Sequence, residues 1–322
     1  MELTRDPANP FQDGPPGDPR RRVVILDGGL ATTLEARGFH LNDPLWSARL
    51  LIESPDAVRQ VHTDFLQAGA DVIATVSYQA SVPGFASRGL PPEEARRLLE
   101  LASELAVEAR DAFWAVPENR VGRMRPWVAA SVGPYGAYRA DGSEYVGDYG
   151  IPEAELMDFH RERWHLFARG PADLLACETI PARAEVEVLL ALLGETPGRS
   201  AWLSVSCRDA AHLSDGTPVA EVARRCHEVP NLVALGVNCV KPRYVEPLLQ
   251  ELRRHTDKPL LAYPNAGEDW DAETGRWVSS PAAVDWGHEA ARWVRAGARG
   301  VGGCCRVGPR TIRSMRTALL GR

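Results

Sequence analysis

Eight short, β-rich apolar runs recur along the chain, and a stretch with helical periodicity separates each from the next. They occupy residues 23–29, 71–77, 126–132, 173–179, 201–207, 232–239, 259–265 and 300–305. Clear start signals mark the helical stretches. Pro91-Pro92-Glu93-Glu94 opens a helix expected to reach Ala115, with Leu98, Leu99, Leu101, Leu105 and Ala106 as its apolar stripe. Pro181, Pro218, Pro242, Pro281 and Pro309 each stand near the first turn of a further helix, where a missing N–H is tolerated. Strands that alternate with helices and are apolar on both faces form a parallel sheet. Eight such units in 322 residues close into a barrel. An open doubly wound sheet is the alternative, but no GxGxxG follows the first strand and no phosphate-binding loop is present. The expectation is an α/β chain with a single (β/α)8 TIM barrel over residues 23–322, preceded by a disordered leader over residues 1–22.

That leader is rich in Pro, Gly, Asp and Arg and has no apolar centre, so it does not read as a signal peptide. Its Arg20-Arg21-Arg22 reads as a solvated flank. A net charge of −6 supplies no basic face for nucleic acid, and no apolar run is long enough to span a membrane. Six cysteines without an export signal read as reduced thiols or metal ligands, with the cytoplasm as the expected compartment.

The carboxyl ends of the runs carry the chemistry. They read Asp27-Gly28-Gly29, Ser77-Tyr78-Gln79, Gly133-Pro134-Tyr135, Glu178-Thr179, Asn238-Cys239, Pro264-Asn265-Ala266-Gly267-Glu268 and Cys304-Cys305. Turn formation accounts for the glycines but not for acids and three cysteines on one rim, and barrel enzymes build their sites at this end. Cys239, Cys304 and Cys305 form a three-thiolate set suited to zinc with one vertex open. Adjacent residues of a regular strand point to opposite faces, so Cys304 and Cys305 can share an ion only if the backbone leaves the strand, as Gly302-Gly303 permits. The competing reading makes these cysteines small buried hydrophobes. Cys207 is a rival third ligand, whereas Cys177 and Cys226 read as core residues. An open vertex on a sulfur-rich ion suits activation of another sulfur, hence thiol alkylation. No histidine pair with ligand spacing points to a zinc hydrolase.

Several motifs resemble the zinc-dependent homocysteine S-methyltransferase family over residues 23–322. They are Leu26-Asp27-Gly28-Gly29 with Thr32-Thr33-Leu34-Glu35, Gly69-Ala70-Asp71, Cys177-Glu178-Thr179, Gly236-Val237-Asn238-Cys239 and Gly303-Cys304-Cys305. The stretches 131–138 with 141–145, 212–218 and 263–268 are similar to the branch that uses S-methylmethionine. The resemblance implies zinc on Cys239, Cys304 and Cys305. It also implies that Asp27 and Glu178 hold the homocysteine ammonium while backbone near Gly28 receives its carboxylate. Asn238 either meets the ligand or braces its turn.

The implied reaction moves a methyl group from S-methylmethionine, or S-adenosylmethionine, to homocysteine and yields methionine. A cationic sulfonium donor calls for aromatic faces. Trp46, Tyr78, Phe85 and Tyr135 follow rim strands, and Trp46 and Tyr78 are the preferred donor contacts; Ser77, at the same strand end as Tyr78, is a further substrate-binding candidate. The segment 135–150 is long for a plain loop and reads as a candidate lid. Betaine or another donor, another thiol acceptor, and a non-catalytic zinc- or thiol-binding barrel remain as alternatives. No further domain for cobalamin or folate is expected.

Overall fold

The computed structural model describes residues 9–12, 23–41, 45–267, 269–271, 276–278 and 284–321. Its strands are β1 (Val24–Ile25), β2 (Val72–Ala74), β3 (Trp127–Val132), β4 (Leu174–Ile180), β5 (Ala201–Val205), β6 (Leu232–Asn238), β7 (Leu260–Tyr263), β8 (Asp269–Asp271), β9 (Arg276–Val278) and β10 (Ala298–Val301). Eight of them form one parallel sheet in the order β1-β10-β7-β6-β5-β4-β3-β2. A parallel bridge from Leu26 to Val72 joins the two ends and closes the ring. The barrel is the expected one, and every expected run overlaps one of its strands, although β4 continues to Ile180 and β10 already starts at Ala298. Most observed strands are shorter than the runs because their last residues leave the ladder to build the rim. The antiparallel hairpin β8–β9 stands between β7 and β10 and was not foreseen.

Closure produces two apolar layers. Leu26, Val72, Ala129, Ala176, Trp202, Leu261 and Tyr263 belong to one buried cluster, which fills the inside of the ring. The larger cluster joins the outer faces of the strands to the helices. The helix Pro92–Ala115 buries Leu99, Ala102, Leu105, Ala106 and Phe113 there, close to the expected stripe. The helices Pro92–Ala115, Pro242–Arg253 and Pro309–Leu320 open on proline as expected. Pro281 lies outside the described residues, and the helix anticipated near it is Trp286–Arg295, capped by the Asp285 side chain at 3.0 Å from His288 N–H. No described helix is long and apolar enough to cross a membrane.

Two acidic residues at the amino ends of strands lock register between neighbours. Asp71, fully buried before β2, accepts from Ile25 N–H at 3.1 Å and from Arg316 at 3.2 Å. Asp173, before β4, accepts from Val128 N–H and from Arg110, both at 2.8 Å. Each carboxylate ties a neighbouring strand to a helix cation.

Residues 9–12, the described part of the expected leader, seat against the barrel. Phe11 is 1% exposed and meets Trp202 edge-on, with ring centroids 5.9 Å apart at 77°. Arg299 Nε donates to its carbonyl at 3.1 Å. Gly300 leaves room for the ring, since a Cβ there would lie 3.1 Å from Phe11 Cε1. An amphipathic reading misses such a residue because a lone Phe among Pro and Asp has no periodic partners. The remaining leader residues lie outside those described. Removing this plug opens a cavity, so Phe11→Ala is expected to cost roughly 2–4 kcal/mol in urea denaturation while metal content stays unchanged.

Candidate functional site

The rim departs from strand geometry where chemistry is placed. Among the described residues, five other than glycine have left-handed backbone: Trp46, Ala140, Thr179, Cys239 and Arg306. The first four line one cavity, and Arg306 follows Cys305. Such conformations cost on the order of 1 kcal/mol or more each and persist where surrounding contacts hold them.

Cys239 follows the last residue of β6, and its φ of 49° breaks the alternation that would otherwise govern its side chain. Beyond β10 the chain turns away in steps. Gly302 N–H donates to Ala262 at 3.0 Å, Gly303 N–H to the Asp27 carbonyl at 3.0 Å and Cys304 N–H to Pro264 at 2.8 Å. Val307 N–H then closes a turn onto the Cys304 carbonyl at 3.1 Å. A Cβ on Gly303 would collide with the Val307 side chain, so only glycine allows this turn. The departure expected at Gly302-Gly303 is thus present.

The sulfurs of Cys239, Cys304 and Cys305 lie within 4.8 Å of one another, and no other group of metal-ligating side chains gathers among the described residues. Cys305 Sγ stands 3.9 Å from Cys239 Sγ and 4.0 Å from Cys304 Sγ. A tetrahedral zinc site with Zn–S near 2.3 Å has S···S edges of about 3.8 Å. Cys239 Sγ and Cys304 Sγ are the closest pair of the set, so all three sulfurs lie near enough to share one ion. Burial, followed by the charges of Glu144 and Glu35, pushes the Cys305 thiol up to about 12. Thiolates here therefore need a cation to exist at neutral pH. Cys207 stands outside the cluster, half-buried in a bridge to Leu213, and Cys177 and Cys226 are buried in the core.

A cavity of about 440 Å³ opens beside the sulfurs. Asp27, Glu35, Asp141, Glu144 and Glu178 line it, while its described lining contains no Lys, Arg or His. Asp27 Oδ2 accepts from Ala74 N–H at 2.8 Å. Burial raises its carboxyl well above the usual range, and the charge of Glu178 adds to that. Glu178 accepts from the Ser131 hydroxyl and bonds Tyr263, yet burial pushes it up to about 7. Asp27 and Glu178 have no cationic side chain beside them in the described lining, whereas Asp141 pairs with Arg139 at 2.9 Å. Trp46 and Tyr78 also line the cavity, with ring centroids 6.3 Å apart at 67°. Gly133 accommodates Tyr78, because a Cβ there would overlap its ring.

Gly28 lines the cavity too. Ser77 does not: fully buried, it donates to the Ser131 carbonyl at 2.7 Å and pairs with Thr75. Asn238 is also fully buried, and its side chain accepts from Thr179 N–H and donates to Thr179 Oγ1, both at 2.7 Å. It therefore braces the turn after Glu178, with Nδ2 4.0 Å from Cys304 Sγ. Among the other aromatic candidates, Phe85 is core and Tyr135 packs against Tyr138, Tyr149 and Phe159 instead of the cavity. The sequence reading overlooked Glu35, Glu144 and Tyr145 as lining groups. The last two sit inside the segment singled out as a lid, and length alone could not say which of its side chains turn inward.

The homocysteine S-methyltransferase model matches residues 24–319. The chain belongs to the homocysteine S-methyltransferase family. It is 49% identical over 293 residues to "Homocysteine S-methyltransferase YbgG" of Bacillus subtilis (strain 168), covering 91% of this chain and 93% of that relative. It is 44% identical over 299 residues to the Escherichia coli (strain K12) homocysteine S-methyltransferase, covering 92% and 95%. Crystal structures of the homocysteine methyltransferase MmuM from Escherichia coli agree with the fold at 42% identity. The metallated form has a TM-score of 0.83 and the oxidised form 0.82, covering 93% and 94% of this chain and 99% of each neighbour. The chain is therefore a methyltransferase that uses homocysteine and a methyl donor, in a metal-dependent family.

Glu178 favours its neutral form in the folded, ligand-free protein, with its value raised from 4.5 to about 7. The stability from this preference is complete below about pH 4.5 and is lost as pH rises through 7. Glu178→Gln stays neutral, so its stability relative to wild type should improve between pH 5 and pH 8 by on the order of 2 kcal/mol in urea denaturation. A difference independent of pH would refute the electrostatic reading.

Proposed function

We propose that this enzyme transfers a methyl group from S-methylmethionine to homocysteine, with zinc on Cys239, Cys304 and Cys305 and with S-adenosylmethionine as a second donor. The observation that carries the donor assignment is the acidic cavity, whose described walls hold five carboxylates and no cationic side chain. S-methylmethionine brings a sulfonium and an ammonium against one carboxylate, so it arrives as a net cation. Betaine brings one quaternary nitrogen and one carboxylate, and that carboxylate would enter a field of like charge.

Zinc at this sulfur set supplies the positive charge that holds a substrate thiol as a thiolate. The remaining tasks fall to the chain. Asp27 and Glu178 bind the homocysteine ammonium, which gives these buried carboxyls the partner that favours their charged form. Gly28 lets the substrate carboxylate approach the backbone closely. Trp46 and Tyr78 present aromatic faces to the sulfonium, each worth roughly 0.5–2 kcal/mol. The departing group is a neutral thioether, so no acid need protonate it, in keeping with a described lining without histidine. Orientation of the methyl group in line with the sulfur is then the chain's main contribution. Asn238 acts through position, holding the turn after Glu178 beside Cys304. A site that works through three reduced sulfurs suits the cytoplasm.

Cys304→Ser is expected to lose stoichiometric zinc and methionine formation together, measured by metal analysis and product assay on reduced, zinc-replete protein. Full activity in a zinc-free variant would overturn the assignment. In the wild type, kcat/KM for S-methylmethionine should exceed that for betaine by at least about 100-fold, the reach of a few kcal/mol of electrostatic discrimination.

A further inference from the structure

The segment between β3 and the helix Glu153–Arg169 brings to the cavity an acidic group that the scheme above leaves without a task. Its two ends are held by one buried carboxylate. Glu185, fully buried, accepts from Tyr135 N–H at 2.6 Å and from the Tyr149 hydroxyl at 2.8 Å. His160 Nε2 lies 2.7 Å from the same carboxylate, and Arg139 donates to the Tyr149 carbonyl at 3.0 Å. Between these anchors the chain turns tightly, with left-handed backbone at Ala140 and Gly142. Gly136 lies so close to the backbone of Glu144 that a Cβ there would overlap it. The stretch at Glu144 is thus built to one position instead of hanging free.

Glu144 and Tyr145 line the same cavity as Asp27, Glu178 and the three cysteines. Glu144 Oε2 is sealed from solvent and has no hydrogen-bond partner among the described residues. An unpaired buried carboxylate oxygen costs several times what a satisfied one does, so a cation arriving there is strongly favoured. Burial holds the Glu144 carboxyl up at about 7, which agrees with a missing counter-charge. The inner acids Asp27 and Glu178 are bonded to the barrel's own strands or their hydroxyls, whereas Glu144 arrives on the loop. Two acidic sites on separate elements suit two molecules bound together, each bringing one positively charged group.

We propose that Glu144 is the specificity-determining residue for the methyl donor, its carboxylate recognising the positive charge of a sulfonium amino acid while Asp27 and Glu178 serve homocysteine. The assignment rests on the sulfonium-donor reading given above. It explains why a loop of this length is fastened at both ends by Glu185. It also separates the two substrates by element, with homocysteine held on the strand ends and the donor on the loop.

The test compares Glu144→Gln and Glu144→Asp with wild type as reduced, zinc-replete enzymes. Steady-state kinetics with S-methylmethionine and calorimetric binding of S-methylmethionine and of methionine, its uncharged thioether counterpart, are the readouts. Glu144→Gln is expected to raise KM for S-methylmethionine and weaken its binding by about 10- to 100-fold, the range of one partly desolvated ion pair. Methionine binding, KM for homocysteine and bound zinc should change less than about twofold, because an uncharged thioether gains little from the carboxylate. Glu144→Asp should restore much of the loss. Equal weakening of S-methylmethionine and methionine, or no change in either, would overturn the assignment of Glu144 while leaving the donor reading intact. Failure of the wild type to turn over any sulfonium donor would overturn the donor reading and the proposal with it.

Discussion

Three sulfurs from two strand ends that are not neighbours converge within 4.8 Å of one another, and much of the rim is organised by that convergence. Regular strands cannot produce it, since they send adjacent side chains to opposite faces. The chain achieves it by leaving the ladder twice, at left-handed Cys239 and across Gly302-Gly303. These departures are held by groups that belong to the site itself. The Asp27 carbonyl receives Gly303 N–H, and Asn238 spans from the turn after Glu178 toward Cys304. Residues that hold the three sulfurs in place are thus continuous with those that line the cavity.

The second constraint is electrostatic. Burial holds four of the cavity's carboxyls, Asp27, Glu35, Glu144 and Glu178, above their ordinary range, with a neighbouring carboxylate adding to this at Asp27 and Glu144, whereas Asp141, bonded to Ser143 and paired with Arg139, is lowered. A positively charged group entering the cavity would offset that cost. Selectivity for positively charged partners follows from this imbalance without any dedicated gate.

Stability and chemistry sit at opposite ends of the same barrel but share a column of side chains. Phe11 packs on Trp202, the Trp202 indole N–H donates to the Tyr263 hydroxyl at 3.0 Å, and Tyr263 bonds Glu178. The floor of the barrel therefore supports the carboxylate at its mouth. On the outer side, Arg163 donates to the Gly133 carbonyl and lies beside His160, linking the Glu185 anchor to the end of β3.

The barrel and the gathering of its three sulfurs were legible in the order of residues because both rest on local patterns. Apolar runs of strand length between helical periods define the (β/α)8 alternation, and cysteines at two run ends define the thiolate set. Asp27, Gly28, Trp46, Tyr78 and Glu178 could likewise be placed at the cavity, since residues at strand ends of a closed barrel converge on one rim. Ser77 and Asn238 stand at equivalent ends, yet they turn inward to Ser131 and Thr179; which way a residue points depends on where its strand stops, and that is set by neighbours. The roles of Phe11 and Glu144 were decided only by the tertiary structure. Each sits in a segment without periodicity, so nothing local specifies its direction, and long-range contacts with Trp202 in one case and anchoring by Glu185 in the other determine where it goes.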